Sequence, residues 1–171
     1  DITDLFGRRV RTKTSQQIID ELNQLFKIGW KGSVFFVDDN FVGNKSRLKK
    51  HLLPALIDWM ARRNYPFRFS TEASIDLADD EELMRLMSDA GFNNVFVGIE
   101  TPNEDSLVEC SKTQNKDRDL VESVKRLQRA GLQVQGGFIV GFDSDTTSIF
   151  QQQIDFIQRS GIVTAMVGLL Q

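Results

Sequence analysis

Five short apolar runs, at positions 33–37, 67–71, 95–99, 134–140 and 162–168, alternate with longer stretches whose apolar residues recur at helical spacing. The runs have the length of strands and read as continuous rather than alternating, the pattern of parallel strands covered on both faces. Between them, Ile18, Ile19, Leu22, Leu25 and Phe26 share one helical face, and Thr14 with Gln17 makes a capping box. Leu48, Leu52, Leu56, Trp59 and Met60 mark a second helix, with Pro54 expected to kink it. Leu83, Leu86 and Met87 mark a third, which Asp79, Asp80, Glu81 and Glu82 introduce at the end of the helix dipole that favours negative charge. Val121, Val124 and Leu127 mark a fourth. Ile149, Phe150, Ile154 and Ile157 mark a fifth, with Asp145 or Thr146 as its expected cap.

Four of these helices close on the same signal, Gly29-Trp30, Gly91-Phe92, Gly131-Leu132 and Gly161-Ile162. Glycine takes the left-handed position that ends a helix, and the apolar residue after it packs back on the last turn. Strand ends at 37, 71, 99, 140 and 168 lie 34, 28, 41 and 28 residues apart by subtraction, intervals that suit βαβ units. The expected fold is α/β with about five parallel strands, arranged as a partial (β/α) TIM-like barrel or as an open doubly wound sheet. The barrel is favoured because polar residues gather at the same end of nearly every strand.

Those ends read Asp38-Asp39-Asn40, Thr71-Glu72, Glu100-Thr101 and Asp143-Ser144-Asp145. Asp143 and Asp145 suit helix capping. Asp38, Asp39, Glu72 and Glu100 follow their strands directly, well ahead of the next helix, and so point to a ligand. Converging acids can bind a divalent metal, a cationic amine or a ribose diol. Gly136, Gly137 and Gly141 bracket Phe138-Ile139-Val140, as where a backbone or ligand approaches closely, or where a barrel strand bends. No G-x-G-x-x-G turn opens a helix, which argues against a nicotinamide cofactor.

Composition narrows the classes. The 171 residues are 40% hydrophobic, enough for one substantial core, and are read as one domain spanning 1–171. With 21 basic and 24 acidic residues the net charge is -3, which does not favour a nucleic-acid surface. No apolar run reaches membrane-spanning length. The single cysteine, Cys110, cannot form an internal disulfide or a thiolate cage, and the default setting is reducing and cytoplasmic. The one histidine, His51, sits among lysines mid-helix, so no Ser/His/Asp set can be built. The chain opens at Asp1 without methionine and stops at Gln171 after an apolar run, and both ends read as cuts through a larger protein.

The phrases Phe36-Val37-Asp38-Asp39-Asn40-Phe41, Gly98-Ile99-Glu100-Thr101-Pro102 and Gly137-Phe138-Ile139-Val140-Gly141-Phe142 resemble, in order and spacing, the radical S-adenosylmethionine (radical SAM) superfamily. The resemblance covers essentially the whole chain. It is nearest to the subset whose parents carry an N-terminal cobalamin-binding domain, methylases among them, and so admits cobalamin without requiring it. It implies that Asp38, Asp39 and Asn40 hold the amino group of S-adenosylmethionine, and that Glu100, with Thr101 beside it, meets the ribose. It further implies that Gly137, Ile139 and Gly141 support the adenine, that Glu72 shares the rim, and that Lys112 is a candidate for the cofactor's carboxylate.

The family's three cysteines, spaced C-x3-C-x2-C after a first strand, are absent, as is that strand. In the family they hold a 4Fe–4S cluster at which S-adenosylmethionine is reductively cleaved to a 5′-deoxyadenosyl radical. The expectation is a fragment of such an enzyme, inactive alone, binding no cofactor tightly, whose parent takes a small-molecule substrate and a reductant. Loss of a first strand would also leave the strand at 33–37 with an open edge suited to self-association. Two other readings are a divalent-metal barrel aldolase or lyase using Asp38, Asp39, Glu72 and Glu100, and a non-catalytic partner-binding module.

Overall fold

The computed structural model describes residues 12–110 and 112–170. Helix α1 (Ser15–Lys27) opens on the Thr14–Gln17 capping box and leads to β1 (Gly32–Phe36). A 3-10 turn (Phe41–Asn44), an α turn (Lys45–Arg47) and a π stretch (Leu48–Leu52) run into α2 (Leu53–Ala61). Then come β2 (Phe67–Glu72), a 3-10 turn (Ile75–Asp79), α3 (Glu81–Asp89) and β3 (Phe92–Glu100). The short α4 (Glu104–Glu109), a 3-10 turn (Thr113–Asn115) and α5 (Leu120–Arg129) precede β4 (Gln133–Val140). Helix α6 (Ile149–Ser160) and β5 (Thr164–Leu169) close the series. The long interval between β3 and β4 is where α4 is inserted.

All pairings are parallel, and the strand order is β1-β2-β3-β4-β5. Strands that follow one another without reversal, joined by crossovers of one hand, place every helix on the same side. A doubly wound sheet needs a reversal of order, so the sequential order decides for the curled half-barrel. The covered face carries one continuous core, including Leu53, Leu56, Met60, Phe69, Leu83, Met87, Phe92, Val95, Val97, Val124 and Leu127.

The strands are not covered on both faces as their sequences suggest. In β2, Phe67, Phe69 and Thr71 are buried, whereas Arg68 is exposed and Ser70 and Glu72 are half-buried. Their alternation marks a concave face that lies open in the half-barrel. Every residue of β5 is exposed. The disturbance expected at Pro54 takes the form of a π turn just before it, where the Leu53 amide donates to the Leu48 carbonyl five residues back. The left-handed glycines do close the helices, with φ of 83° at Gly29, 100° at Gly91, 90° at Gly131 and 73° at Gly161.

An aromatic cluster lies where β1, β2 and β3 meet their helices. Phe36 contacts Phe41, Phe69 and Phe92 at ring-centroid distances of 5.5, 5.2 and 5.2 Å, and Phe41 contacts Phe92 at 5.0 Å. The buried Thr71 hydroxyl donates to the Phe36 carbonyl at 3.0 Å and ties β2 to β1. Phe69 is fully buried within the cluster. Replacing it with alanine is expected to destabilise the fold by about 3–5 kcal/mol, the cost of emptying a packed aromatic site. Urea unfolding followed by circular dichroism checks this.

Candidate functional site

The carboxyl ends of β1, β2 and β3 open on a cavity of about 220 Å³, lined in part by Asp39, Asn40, Glu72, Glu100, Lys112 and Asn115. Each wall is set by its own local structure. Directly after Asp38-Asp39-Asn40 the chain buries Phe41 and Val42, and Phe41 enters the aromatic cluster. That anchor fixes the acidic loop at the rim. Asn40 Oδ1 accepts from the Ser74 amide at 3.2 Å, which joins the loop after β1 to the loop after β2.

Glu100 ends β3 with φ of 66°, just beyond a slip in register against β4. A left-handed non-glycine residue costs about 1–3 kcal/mol and persists only where its surroundings hold it. Asn115 provides that hold. Only 2% exposed, it donates from Nδ2 to the Gly98 carbonyl at 3.1 Å and to the Ile99 carbonyl at 3.0 Å. Lys112 Nζ pairs with Glu100 Oε1 at 2.8 Å.

The remaining expected site residues fall outside this group. Asp38 stands on the exposed rim, outside the cavity lining. Partial desolvation and then the neighbouring Asp39 charge raise its pKa, against a smaller pull from Lys13. Thr101 is fully buried, and its hydroxyl accepts from the Asn103 amide at 3.2 Å. By strand parity Gly137 and Ile139 share the concave face with Gln135. A Cβ at Gly137 would come 2.7 Å from Phe96 Cζ, so the space over that glycine is already filled by a ring. Gly141, at φ of 103°, begins the loop after β4.

Asp145 does not cap α6, whose N-cap is Ser148. Its carboxylate turns back instead to accept from the Gly141 and Phe142 amides at 2.8 and 3.1 Å and from the Ser106 hydroxyl at 3.0 Å. Glu109 accepts from the Asp143 and Ser144 amides, each at 3.0 Å. The loop after β4 is thus held by two carboxylates, one its own and one from α4. Asn115, Ser106 and Glu109 were not foreseen from the sequence, because they lie in polar segments without periodicity.

A belt of ion pairs braces the rim from outside. Lys45 pairs with Asp76 at 2.8 Å, Lys49 with Asp80 at 3.1 Å, and Arg118 with Asp79 at 2.6 Å. Together they fasten the segments after β1 and β3 to the turn after β2. Among the described residues, no three His, Cys, Asp or Glu side chains are grouped to hold a metal ion, so the four rim acids do not form the metal set of an aldolase or lyase.

Residues 3–157 match the family model of the radical SAM superfamily. The chain belongs to the radical SAM superfamily. Among curated relatives, an uncharacterized methyltransferase of Synechocystis sp. is 47% identical over all of this chain and 32% of its own length. The hopanoid C-2 methylase of Rhodopseudomonas palustris is 39% identical over all of this chain and 32% of its own length. The chain therefore spans about a third of the length of these relatives. Among solved structures, the radical SAM methyltransferase TsrM of Kitasatospora setae, with cobalamin and a [4Fe-4S] cluster bound, superposes with a TM-score of 0.73 at 18% identity. That likeness, over 95% of this chain and 31% of TsrM, bears on the fold.

Two outcomes test the site. Asn115→Ala leaves two strand-end carbonyls without their donor, and is expected to cost about 1–3 kcal/mol in urea unfolding. The Asp79 pKa is lowered, chiefly by its hydrogen bonds from Arg118. A depressed carboxylate contributes stability that is present above its unfolded pKa and is lost as pH falls through the folded one. Thermal melts below about pH 4, the ordinary aspartate range, should therefore show a shallower acid loss in Asp79→Asn than in the wild type.

Proposed function

We propose that this chain is the S-adenosylmethionine-binding part of a radical SAM enzyme barrel, in a parent that transfers methyl groups and uses cobalamin. The observation that carries this is the convergence of Asp39, Asn40, Glu72, Glu100 and Lys112 on one cavity at the strand ends. The donor set fits the cofactor's chemistry. Asp39 and Asn40 suit its ammonium, with Asp38 strengthening the negative rim, and Glu100 suits the ribose diol as an acceptor. Ile139 and Gly141, above the ring-filled Gly137, suit the adenine, and Thr101 supports the loop from below. The relatives' names supply the methyl-transfer class, and TsrM's bound cobalamin supplies the second cofactor.

The cluster does not fit the residues of this chain. One cysteine, Cys110, cannot provide three thiolates. S-adenosylmethionine bound at such a cluster supplies radical chemistry; these residues bind and orient its nucleoside and its ammonium. We accordingly propose that the chain by itself does not cleave S-adenosylmethionine. The parent then draws on a reductant and a small-molecule substrate in a reducing, cytoplasmic setting. A second part of the proposal is that the side of β1 left unpaired among the described residues, at the end of the strand order, supports self-association of the isolated chain.

Titration calorimetry with S-adenosylmethionine tests the reading. Glu100→Gln is expected to weaken binding roughly tenfold, the scale of one charge-assisted hydrogen bond. Unchanged affinity would sink the ribose assignment. Anaerobic iron–sulfide reconstitution of the isolated chain should yield no 5′-deoxyadenosine; its formation would overturn the claim of inactivity.

A further inference from the structure

The role that family resemblance implies for Lys112, contact with the carboxylate of S-adenosylmethionine, conflicts with where the structure puts its charge. Lys112 Nζ lies 2.8 Å from Glu100 Oε1. The glutamate side chain is only 13% exposed, and the lysine 36%. In so sheltered a place the carboxylate's nearest cation governs its orientation, and a charge-assisted bond is stronger than a neutral one. The pairing uses Oε1 and, among the described residues, leaves Oε2 for another donor.

The backbone around this pair is built for it. Glu100 sits in the left-handed region directly after the register slip. Asn115, in the same turn as Lys112, fastens the carbonyls of Gly98 and Ile99 just before it. The turn is closed by the Asn115 amide donating to the Lys112 carbonyl at 2.9 Å, and is tied to α4 by the Lys112 amide donating to Leu107 at 3.0 Å. A Cβ at residue 98 would run into the Glu100 carboxylate and come 3.2 Å from Lys112 Nζ, so any larger residue there obliges these two side-chain ends to shift. A glycine and a lysine thus meet one side chain, and a buried amide holds the backbone that carries it.

Resting on the S-adenosylmethionine reading above, we propose that Lys112 and Asn115 form a clamp that presets Glu100 for the ribose, and that Lys112 is a positioning residue rather than a contact of the cofactor's carboxylate. Asn115 fixes the backbone on which Glu100 stands, and Lys112 fixes the direction of its carboxylate. The free oxygen then meets the diol without reorganisation, which is how preorganisation raises affinity.

The two roles for Lys112 differ in which ligands should feel its loss. 5′-Methylthioadenosine has the adenine and ribose of S-adenosylmethionine but no amino-acid end. Both ligands are titrated calorimetrically into the intact protein as wild type, Lys112→Met, Lys112→Arg and Gly98→Ala. The clamp requires that Lys112→Met weaken both ligands by the same factor, roughly tenfold, and that Lys112→Arg restore most of it. Gly98→Ala, whose Cβ crowds the pair without removing either charge, should reproduce the uniform loss. If Lys112→Met weakens S-adenosylmethionine and spares 5′-methylthioadenosine, Lys112 touches the amino-acid end and the clamp is wrong, while the cofactor reading stands. If neither affinity moves, Lys112 has no part in the site and the clamp is equally wrong. Wild type that binds neither nucleoside would overturn the cofactor reading and the clamp with it.

Discussion

The packing of Phe36, Phe41, Phe69 and Phe92 against one another is the constraint on which the rest of this structure depends. Three of the rings come from adjacent strands, so their contact sets how β1, β2 and β3 lean together. The fourth, Phe41, comes from the loop that carries Asp39 and Asn40. Folding the core and placing the acidic rim are therefore a single event. Aromatic pairs at these distances favour tilted and edge-on arrangements, and their area makes them the largest local gain on burial.

From that foundation the rim is tightened by polar contacts of two kinds. The outer kind is the belt of ion pairs from Lys45, Lys49 and Arg118 to Asp76, Asp80 and Asp79. Such pairs are partly solvated and individually weak, but together they join two crossover segments to a turn in a third. The inner kind is the buried carboxamide. Asn115 holds the carbonyls at the end of β3, and Gln153 Nε2 holds that of Ile139 near the end of β4 at 2.8 Å. Where strands leave the sheet their carbonyls lose the ladder, and a buried amide from the helical side replaces it. Both strand ends are thereby kept rigid where the candidate ligand contacts lie.

Much of this was legible in the sequence, and the reasons are specific. The glycines closing α1, α3, α5 and α6 announced βα units because no other residue takes that conformation so readily. Asp39, Glu72 and Glu100 stood out because they follow strands with no helix yet to cap. The same logic failed for Asp145, which lies near a helix but folds back onto its own loop. The open concave face was missed because polar residues such as Ser70 and Gln135 are few beside the apolar ones flanking them. Asn115 and Glu109 were missed because their partners are main-chain groups distant along the chain, and a main-chain group leaves no mark in a sequence.

Phe96 lines two chambers. One is the rim cavity, and the other, of about 270 Å³, lies toward the amino ends of the strands among Ser33, Arg68, Ser70, Asn94 and Gln135. The ring reaches across the concave face to lie against Gly137, which is why that glycine can bear no side chain. It acts as a floor to the acidic chamber and a ceiling to the one that holds Arg68. One aromatic side chain thus forms part of the wall of both chambers, so the space on either side of it depends on where that ring lies.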